Sequence, residues 1–563
     1  MKLAEATAQS GNGRCSVFLP ETAGSKRASL IWTPLLAIAS AAFLVETPFF
    51  FLGIPSGHDV EFHLYSWLEV LSQWRQGIIY PRWASLAHFG YGEPRFVFYP
   101  PASWTLGAAL TAVFPWTLVP SIYLWVALAA AGISMFFLAR QWFDRRDATF
   151  AAVLYAVNPY HLVIVYWRSA FAELLASMLL PLMLLLVLRM SEQPRRCTIW
   201  MAMLLGSAWL INAPAALMVH YSLALMVLFM AAKRRSPRLL IYAGVAVLLG
   251  AALAGFYLVP AIYEQRWVDI AQSISAGSRP LDNFLWVHTT DADHDAFNRL
   301  ISWVALSEIV VTAGGAFGSR SAGKRNRELW LLLLLWAAAS SLLMFSISNA
   351  AWIMLPKLRF MQFPWRWLLC MGVPLTLFVT IAVRKWMSRL ALYIAMLCVI
   401  AFAWKHCQAP WWDNSADLHE MQDNMAANAG YEGTDEYTPA GADPSAVDKD
   451  ARRVTVAGQA RAAIHVFKWN AESKLFTAEL SAPDELVLKL FAYPAWSVEV
   501  NAKPVQAGTL ERTGQMLIPV ETGLNRVEIK FIRTWDRRLG GWTSVIALLL
   551  SGLLLRQWAA KNG

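Results

Sequence analysis

Long apolar runs alternate with short polar or basic segments along most of the chain. A helix needs about 20 apolar residues to cross a hydrocarbon core of roughly 30 Å. By this criterion we predict about twelve spans, near residues 30–51, 117–139, 148–167, 170–189, 198–213, 214–232, 239–261, 298–316, 329–347, 366–383, 390–405 and 541–556. The pair at 198–232 is broken at Asn212-Ala213-Pro214, which predicts a hairpin or a broken helix lining a cavity. The apolar run at 102–114 is too short to cross and predicts an interfacial or re-entrant segment.

Basic residues are concentrated in alternate connections between these predicted spans. If successive spans alternate in direction, these connections share one side with the N-terminal tail at 1–28 and with the C-terminal tail. The positive-inside rule places this side in the cytoplasm, so we predict that both termini are cytoplasmic. The net charge of +10 then reflects membrane topology, and nucleic acid is not an expected partner.

Four longer segments fall on the opposite side, at 52–116, 262–297, 348–365 and 406–540. Within the last, residues 406–451 are polar and predict an extracytoplasmic linker. From 452 to 538, alternating runs such as 474–480 are bounded by turn residues, which predicts a small antiparallel β-sandwich. The predicted fold is therefore a polytopic α-helical membrane domain at 29–405, a C-terminal extracytoplasmic β-sandwich, and a last span with its tail at 539–563.

Composition agrees with a membrane protein, since 57% of the residues are hydrophobic and 15% are charged. The five cysteines form no CxxC pair and predict no disulfide framework. The sequence contains no P-loop, no GxGxxG after a predicted strand, no HExxH and no GxSxG. These absences argue against a nucleotide-driven pump and a serine hydrolase.

The stretch Gly57-His58-Asp59-Val60-Glu61-Phe62-His63 places two histidines and two carboxylates directly after the first span. Apolar residues then recur at helical spacing, which predicts an interfacial helix with its polar side away from the membrane. Asp59 and His63 are four residues apart and share a face of this helix. The cluster is either a solvated interfacial loop or part of a site.

Other charged residues lie near the same predicted face. Arg168 and Glu173 flank the turn between two spans, where they close a hairpin as an ion pair or line a cleft. Arg359 and Arg366 either anchor the chain at the interface or bind phosphate through their guanidinium groups. The group Asp291, Asp293, His294 and Asp295 is either a solvated acidic loop or a site for a divalent cation.

Several short motifs occur in a specific order from the first span to the sandwich. They are Gly57-His58-Asp59, Tyr80-Pro81-Arg82-Trp83, Gly90-Tyr91-Gly92-Glu93-Pro94, Phe98-Tyr99-Pro100-Pro101, Arg168-Ser169-Ala170 with Glu173, Arg359-Phe360, Phe363-Pro364-Trp365-Arg366, Gly430-Tyr431-Glu432-Gly433 with Glu436-Tyr437, and Tyr493-Pro494-Ala495-Trp496. In this order the chain resembles membrane glycosyltransferases of the GT-C type. It is most similar to the bacterial membrane proteins called 6-pyruvoyl-tetrahydropterin synthase-related and to YfhO-like membrane proteins. The metal-site histidine pattern of the soluble pterin enzyme is missing, so pterin chemistry is not expected.

The resemblance implies a protein of the bacterial cytoplasmic membrane that moves a sugar from a polyprenyl-phosphate donor to an envelope glycan, lipid or protein on the outer face. It implies an inverting enzyme in which Asp59 is the base or a metal ligand, oriented by His58. A glycosyl phosphate already has a good leaving group, so the chemistry requires a base and cations for the phosphate. The remaining expected roles are catalysis or cleft formation by Glu173, cleft formation or phosphate binding by Arg168, phosphate binding by Arg359 and Arg366, substrate contacts by Trp83, Tyr91, Tyr99 and His288, and binding of Mg or Mn by Asp59, Asp291 and Asp293.

Two function classes are compatible with these features. The first is a lipid-linked sugar transferase, and the second is a non-catalytic membrane protein, either a lipid or glycan transporter or an assembly factor. A transferase requires Asp59 and the arginines to converge on one cavity, whereas a scaffold does not.

Overall fold

The computed structural model describes residues 28–324 and 326–562. The predicted cytoplasmic tail at 1–28 lies outside the described residues except for its last position. Within the described part, nine helical segments are long and apolar enough to cross a membrane: Trp32–Leu52, Trp116–Ala139, Arg145–Arg168, Phe171–Arg189, Ala213–Arg234, Ala292–Gly318, Pro364–Ala382, Trp386–His406 and Trp535–Gln557. Two bent pairs also qualify when each is taken as one span: Arg238–Leu253 with Gly255–Trp267, bent by 78°, and Arg327–Leu343 with Ser346–Met354, bent by 94°. The chain is therefore integral to the membrane.

The described part has nine to eleven candidate spans where the sequence predicts about twelve. The segment predicted at 198–213 forms the helix Pro194–Ile211. Its first turn carries Arg195 and Arg196, which lower its mean hydropathy. The next helix, Ala213–Arg234, is capped by Asn212, whose side chain accepts the N–H of Ala215 at 2.9 Å. The break at Asn212 thus separates two distinct helices.

The segment at 52–116 contains two long helices and, between them, the short helices Ala87–Gly90 and Arg95–Phe98. The first, Val60–Arg75, begins directly after Asp59, and we call it the loop helix. Its apolar side chains are buried, and Trp67 stacks on Tyr123 with ring centroids 5.0 Å apart. The second helix, Pro101–Val113, forms from the run predicted to be too short to cross. It packs so closely on the loop helix that a side chain at Gly107 would collide with the Trp67 ring.

Two antiparallel sheets form the C-terminal sandwich. The four-stranded sheet has the spatial order Val454–Val456, Asp484–Phe491, Gln515–Val520 and Gly508–Thr509. The five-stranded sheet has the order Ala462–Trp469, Ser473–Leu480, Gly523–Phe531, Trp496–Val500 and Lys503–Val505. Alternate side chains of both sheets are buried between them, as the period-two pattern predicts. Before the sandwich, the polar segment predicted as a linker contains the helix Ser415–Ala426.

Contacts join the four segments that the charge pattern places on one side. Residues Ile54–Pro55 pair with Trp412–Asp413 as a two-stranded ladder. The Trp83 ring packs on Trp496 of the sandwich, and the Gln362 amide donates to Ser273 O at 2.7 Å. On the other side, ion pairs join the basic connections: Arg389 with Asp147, and Arg234 with Glu328, each at 2.7 Å. Within each predicted group, these contacts therefore join connections that are far apart in the sequence.

Candidate active site

The motif Gly57-His58-Asp59 crosses directly against the turn that carries Arg168 and Ser169. The backbone N–H of Asp59 donates to Arg168 O at 2.9 Å, and the N–H of Gly57 donates to the Ser169 hydroxyl at 3.0 Å. A Cβ at Gly57 would lie 2.5 Å from the carbonyl carbon of Arg168, so only glycine fits this crossing. Ser169 itself has a φ of 49°, in the left-handed region. These contacts fix Asp59 on the turn between two spans.

The span before this turn ends in a π-helical turn, Ile164–Arg168. Such turns re-aim the side chains of a helix and are frequent at functional sites. Here the turn directs Arg168 into the protein, where its guanidinium is 1% exposed and lies 4.8 Å from the Trp365 ring centroid. The local distortion thus buries a cation beneath the loop 52–116.

An ion network surrounds this guanidinium. Arg168 Nη2 lies 3.2 Å from Asp59 Oδ2, and its Nη1 lies 2.6 Å from Glu173 Oε2. The same Glu173 oxygen is 3.1 Å from Arg366 Nε, while Oε1 accepts the Tyr160 hydroxyl at 2.5 Å. Two arginines are therefore balanced by two carboxylates. Both oxygens of Glu173 therefore have partners within this network.

Asp59 is the exposed member of the network. Its side chain is 38% exposed, whereas Glu173 and both arginines are buried. Among the described residues, no hydrogen bond to Oδ1 is found, since Arg168 contacts Oδ2 alone. One oxygen of Asp59 is thus held from behind and the other is available to a ligand.

Asp59 and Arg168 line a cavity of about 730 Å³. Its walls combine aromatic rings with polar side chains from 276–294. The aromatic residues are Phe297, Phe363, Trp365 and Trp411, and the main polar residues are His58, Arg279, Asp282, Asn283, His288, Asp291, Asp293 and His294. The volume of this cavity is within the usual range for small-molecule sites, and its lining carries more polar side chains than apolar ones.

His58 lines the cavity, but its side chain makes no hydrogen bond to Asp59 among the described contacts. The ring packs against Phe297 and Trp411, with centroids 5.0 and 5.9 Å apart. Burial lowers the pKa of His58 below its usual value, and although Asp59 opposes this shift, Arg168 adds to it. The orientation of Asp59 is set by Arg168 rather than by His58.

Of the predicted site residues, those that line this cavity are His58, Asp59, Arg168, His288, Asp291 and Asp293. The remaining predicted residues do not line it. Tyr99 lies beside His63 of the loop helix, with ring centroids 5.8 Å apart. Arg366 joins the network from behind. Arg359 is exposed, with its guanidinium over the Phe360 ring. Trp83 and Tyr91 are buried against the sandwich, where they contact Trp496 and Phe491.

The acidic residues of the second segment have local partners. Asp291 caps the helix Ala292–Gly318 by accepting the N–H of His294 at 2.8 Å. His288 Nδ1 lies 3.1 Å from Asp295 Oδ1, on the exposed surface. No group of three or more His, Cys, Asp or Glu side chains that could hold a metal ion occurs among the residues that the structure describes. Asp59, Asp291 and Asp293 thus form no ready cation site, and binding of Mg or Mn remains a prediction.

Sequence reasoning did not identify several residues of the site. Tyr160 and Glu308 lie in apolar spans, where Glu308 Oε1 accepts the N–H of Tyr160 at 3.0 Å. Placing a carboxylate or a hydroxyl inside an apolar span costs free energy. This cost is the sequence signal by which Glu308 and Tyr160 could have been identified. Trp411 lies in the polar segment after the eleventh predicted span, so its place in the cavity depends on the ladder at Trp412–Asp413.

Comparison with known proteins gives one family. Residues 96–409 match the family described as 6-pyruvoyl-tetrahydropterin synthase related domain, membrane protein. This region includes Arg168, Glu173 and Arg366 but not Asp59. No curated protein matches the chain.

Among solved structures, the chain is similar to the arabinofuranosyltransferase AftD from mycobacteria, with 15% identity and a TM-score of 0.41 over 69% of this chain and 27% of that one. It is also similar to the Archaeoglobus fulgidus oligosaccharyltransferase in the apo form, with 14% identity and a TM-score of 0.35 over 71% of this chain and 56% of that one. The chain thus spans about a quarter of the first protein and little more than half of the second.

Proposed function

Because the chain belongs to the 6-pyruvoyl-tetrahydropterin synthase-related family of membrane proteins, we propose for it a function at the membrane surface, the transfer of a sugar from a polyprenyl-phosphate donor to an envelope acceptor. The acceptor class is a glycan, a lipid or a protein. In this proposal the membrane is the bacterial cytoplasmic membrane, both termini are cytoplasmic, and the sandwich with the Asp59 cavity faces outward.

One observation carries the proposal: a half-exposed carboxylate lies on the wall of a large aromatic cavity and is held there by a buried arginine. Arg168 binds one oxygen of Asp59 and leaves the other to face a ligand. Aromatic walls suit sugar rings, which present apolar C–H faces to them. An anchor for the chain would need neither a free carboxylate oxygen nor a cavity of this size.

In the proposed reaction, Asp59 Oδ1 accepts the proton of the acceptor hydroxyl as that oxygen attacks the anomeric carbon of the donor. The bond from the anomeric carbon to the phosphate oxygen breaks, and the lipid phosphate leaves with the bonding electron pair. A single displacement inverts the anomeric configuration. A double displacement would need a second free carboxylate, and Glu173 is fully engaged by Tyr160, Arg168 and Arg366.

The departing phosphate needs positive charge or hydrogen-bond donors. His288 and His294 line the same cavity and can supply hydrogen-bond donors. Arg279 also lines it and is paired with Asp282 at 2.9 Å, but its side chain is half-exposed and can reach a ligand. Arg366 is buried against Glu173, so we assign it a positioning role and no direct phosphate contact. Since the acidic side chains do not converge as a metal site, no step is assigned to a metal ion.

The test compares envelope glycans and polyprenyl-phosphate sugars by mass spectrometry in a deletion strain complemented with wild type, Asp59→Ala or Glu61→Ala at matched membrane levels. Glu61 is the control because it is the neighbouring exposed carboxylate on the loop helix. We expect the deletion strain and the Asp59→Ala strain to lose one sugar from the glycan and to accumulate a lipid-linked sugar. The strains with wild type or Glu61→Ala should show neither change. If Asp59→Ala restores everything that the deletion lost, Asp59 is not catalytic, and the transporter or assembly-factor class is favoured.

A further inference from the structure

A second cavity, of about 300 Å³, lies between the loop helix and the sandwich. Its lining shares no residue with the Asp59 cavity. The side chains that matter here are Gln73 of the loop helix and Arg452, Arg453, Trp469, Lys474 and Lys489 of the sandwich region. Its volume lies at the lower end of the range for small-molecule sites.

Basic side chains dominate this second cavity. Arg452 and Arg453 are exposed, Lys489 is half-buried and Lys474 is buried. None of the four belongs to an ion pair in the part of the chain that the structure describes. Lys489 donates instead to Lys449 O at 2.6 Å. The cavity therefore carries an excess of positive charge.

The carboxylates around the cavity do not neutralise this charge. Glu69, which lines it, accepts hydrogen bonds from the Ser85 hydroxyl at 2.9 Å, the N–H of Leu86 at 3.1 Å and the Tyr431 hydroxyl at 2.5 Å. Asp448 and Asp450 are within electrostatic range of Lys489 but form no ion pair with it. An incoming anion would thus meet cations that are still available.

Lys474 is the most confined of these cations. Its side chain is 2% exposed, and its Nζ donates to Ala471 O at 2.8 Å and lies 4.1 Å from the Trp496 ring centroid. Burial lowers its pKa to about 7, although Glu472 opposes the shift. Lys474 forms no ion pair in the part of the chain that the structure describes, and a bound anion would offset the cost of burying its ammonium.

Two features suit a saccharide. The half-buried Trp469 ring presents an aromatic surface in the lining, with the Arg453 guanidinium 5.9 Å and the Lys474 ammonium 6.0 Å from its centroid. Gln73 is 1% exposed, and its amide donates to Trp83 O at 2.7 Å, while its Oε1 has no partner. A sugar hydroxyl can donate to this oxygen.

We propose that this second cavity binds an anionic saccharide unit of the acceptor, with its carboxylate or phosphate among the four basic side chains and its ring against Trp469. The identification of the ligand as a saccharide rests on the proposed function, whereas the anion site rests on the uncompensated cations alone. The site would hold an acceptor chain that extends along the sandwich.

Binding is measured by calorimetry on the full chain in detergent, with glucuronate, glucose 6-phosphate, glucose and inorganic phosphate as probes. The test variant is Arg452→Gln with Arg453→Gln, two exposed positions whose replacement should leave the fold intact. Arg461→Gln is the matched control, an exposed arginine of the same region that does not line the cavity. Loss of two charge-assisted contacts is expected to weaken binding at least about tenfold.

We expect glucuronate or glucose 6-phosphate to bind and glucose not to bind. The double variant should weaken this binding, and Arg461→Gln should not. Absence of binding by both anionic sugars, or equal binding by the double variant and wild type, overturns it. Inorganic phosphate that binds as tightly as either sugar overturns the saccharide assignment. Asp59→Asn should bind glucuronate normally, so a failure of the proposed transfer reaction can be distinguished from a failure of this site.

Discussion

Arg168 holds Asp59 from behind: its Nη2 lies 3.2 Å from Asp59 Oδ2, with the arginine 1% and the aspartate 38% exposed. The same guanidinium is bound to Glu173, so its position does not depend on Asp59. A buried charge network therefore presents one carboxylate to a cavity in a fixed orientation. Such preorganisation lets a group act without a reorganisation cost at the moment of reaction.

Replacement of this carboxylate tests its role as a base. Asp59→Asn keeps the size and still accepts a hydrogen bond from Arg168, but the amide cannot take up a proton. We expect the transfer rate to fall roughly 100- to 10,000-fold, as for loss of a general base. The rate is measured with purified protein and a lipid-linked sugar donor.

The control for this experiment is Glu61→Gln, which changes an exposed carboxylate two residues further along the chain. It should retain the wild-type rate, and both variants should unfold at the wild-type temperature. An Asp59→Asn protein that is folded and fully active would contradict the base assignment.

Glu173→Gln should destabilise the protein rather than change only its activity. Glu173 is the shared partner of two buried guanidinium groups, at 2.6 Å from Arg168 and 3.1 Å from Arg366. Removal of one partner from a buried ion pair typically costs about 3–5 kcal/mol, because the other charge remains uncompensated. The free energy of unfolding is measured in detergent by chemical denaturation.

The matched control is Glu328→Gln, which breaks the partly exposed ion pair with Arg234. Such surface pairs contribute about 0–1 kcal/mol, so little change is expected. Equal, small effects of the two substitutions would show that the network at Glu173 is solvated and is not the buried scaffold of the site.

The sequence predicts the membrane elements well because hydropathy is a local property. Runs such as 117–139 and 541–556 correspond to the helices Trp116–Ala139 and Trp535–Gln557. Bends are harder to predict, since the break of 78° near Ala254 depends on packing rather than on composition. Gly255 illustrates such packing, because a Cβ added there would lie 3.2 Å from Gly540 O of the last helix.

The candidate site is predicted only in part. Asp59, Arg168 and Glu173 come together because short turns fix them near the same surface. Arg359 and Arg366 are seven residues apart and look equivalent in sequence, yet the turn between them exposes one and buries the other. No periodicity distinguishes the two. The sequence also does not show which aromatic residues of the short motifs contact a substrate and which belong to the core. Trp83, for example, packs on the sandwich.

Gly57→Ala should displace the Asp59 motif from its turn. The added Cβ would lie 2.5 Å from Arg168 C, 2.6 Å from Ser169 N and 2.6 Å from Trp167 O, which are all backbone atoms. Because backbone cannot rotate away, the crossing must open and the hydrogen bond from Asp59 to Arg168 O must lengthen. We expect lower transfer activity and a destabilisation of about 1–3 kcal/mol, measured together on the purified protein.

Gly244→Ala is the control for the glycine experiment, since a Cβ there meets nothing within 4 Å. This position lies within the helix Arg238–Leu253, where alanine is the better helix former. It should leave the transfer rate unchanged. Normal activity of Gly57→Ala would show that the Asp59 motif tolerates displacement, against the requirement for a fixed carboxylate.

His63 gives a prediction for pH. Its ring is buried among Phe62, Trp67, Tyr99 and Phe171. Burial lowers the pKa of His63 to about 4 from an ordinary value of 6.5. The folded protein therefore keeps this ring neutral in a range where the unfolded chain binds a proton.

As the pH falls from 6.5 to 4, proton uptake by the unfolded chain should lower the free energy of unfolding by up to about 3 kcal/mol through His63 alone. Well above pH 6.5 this contribution is constant, since His63 is then neutral in both states. His63→Phe preserves an aromatic ring and should flatten the pH dependence of unfolding by that amount. His419→Gln, at an exposed position, should leave the curve unchanged.

The contradicting outcome is that wild type and His63→Phe lose stability in parallel between pH 6.5 and 4. In that case the ring of His63 takes up a proton freely in the folded protein, and the packing of the loop helix is looser than the described contacts indicate.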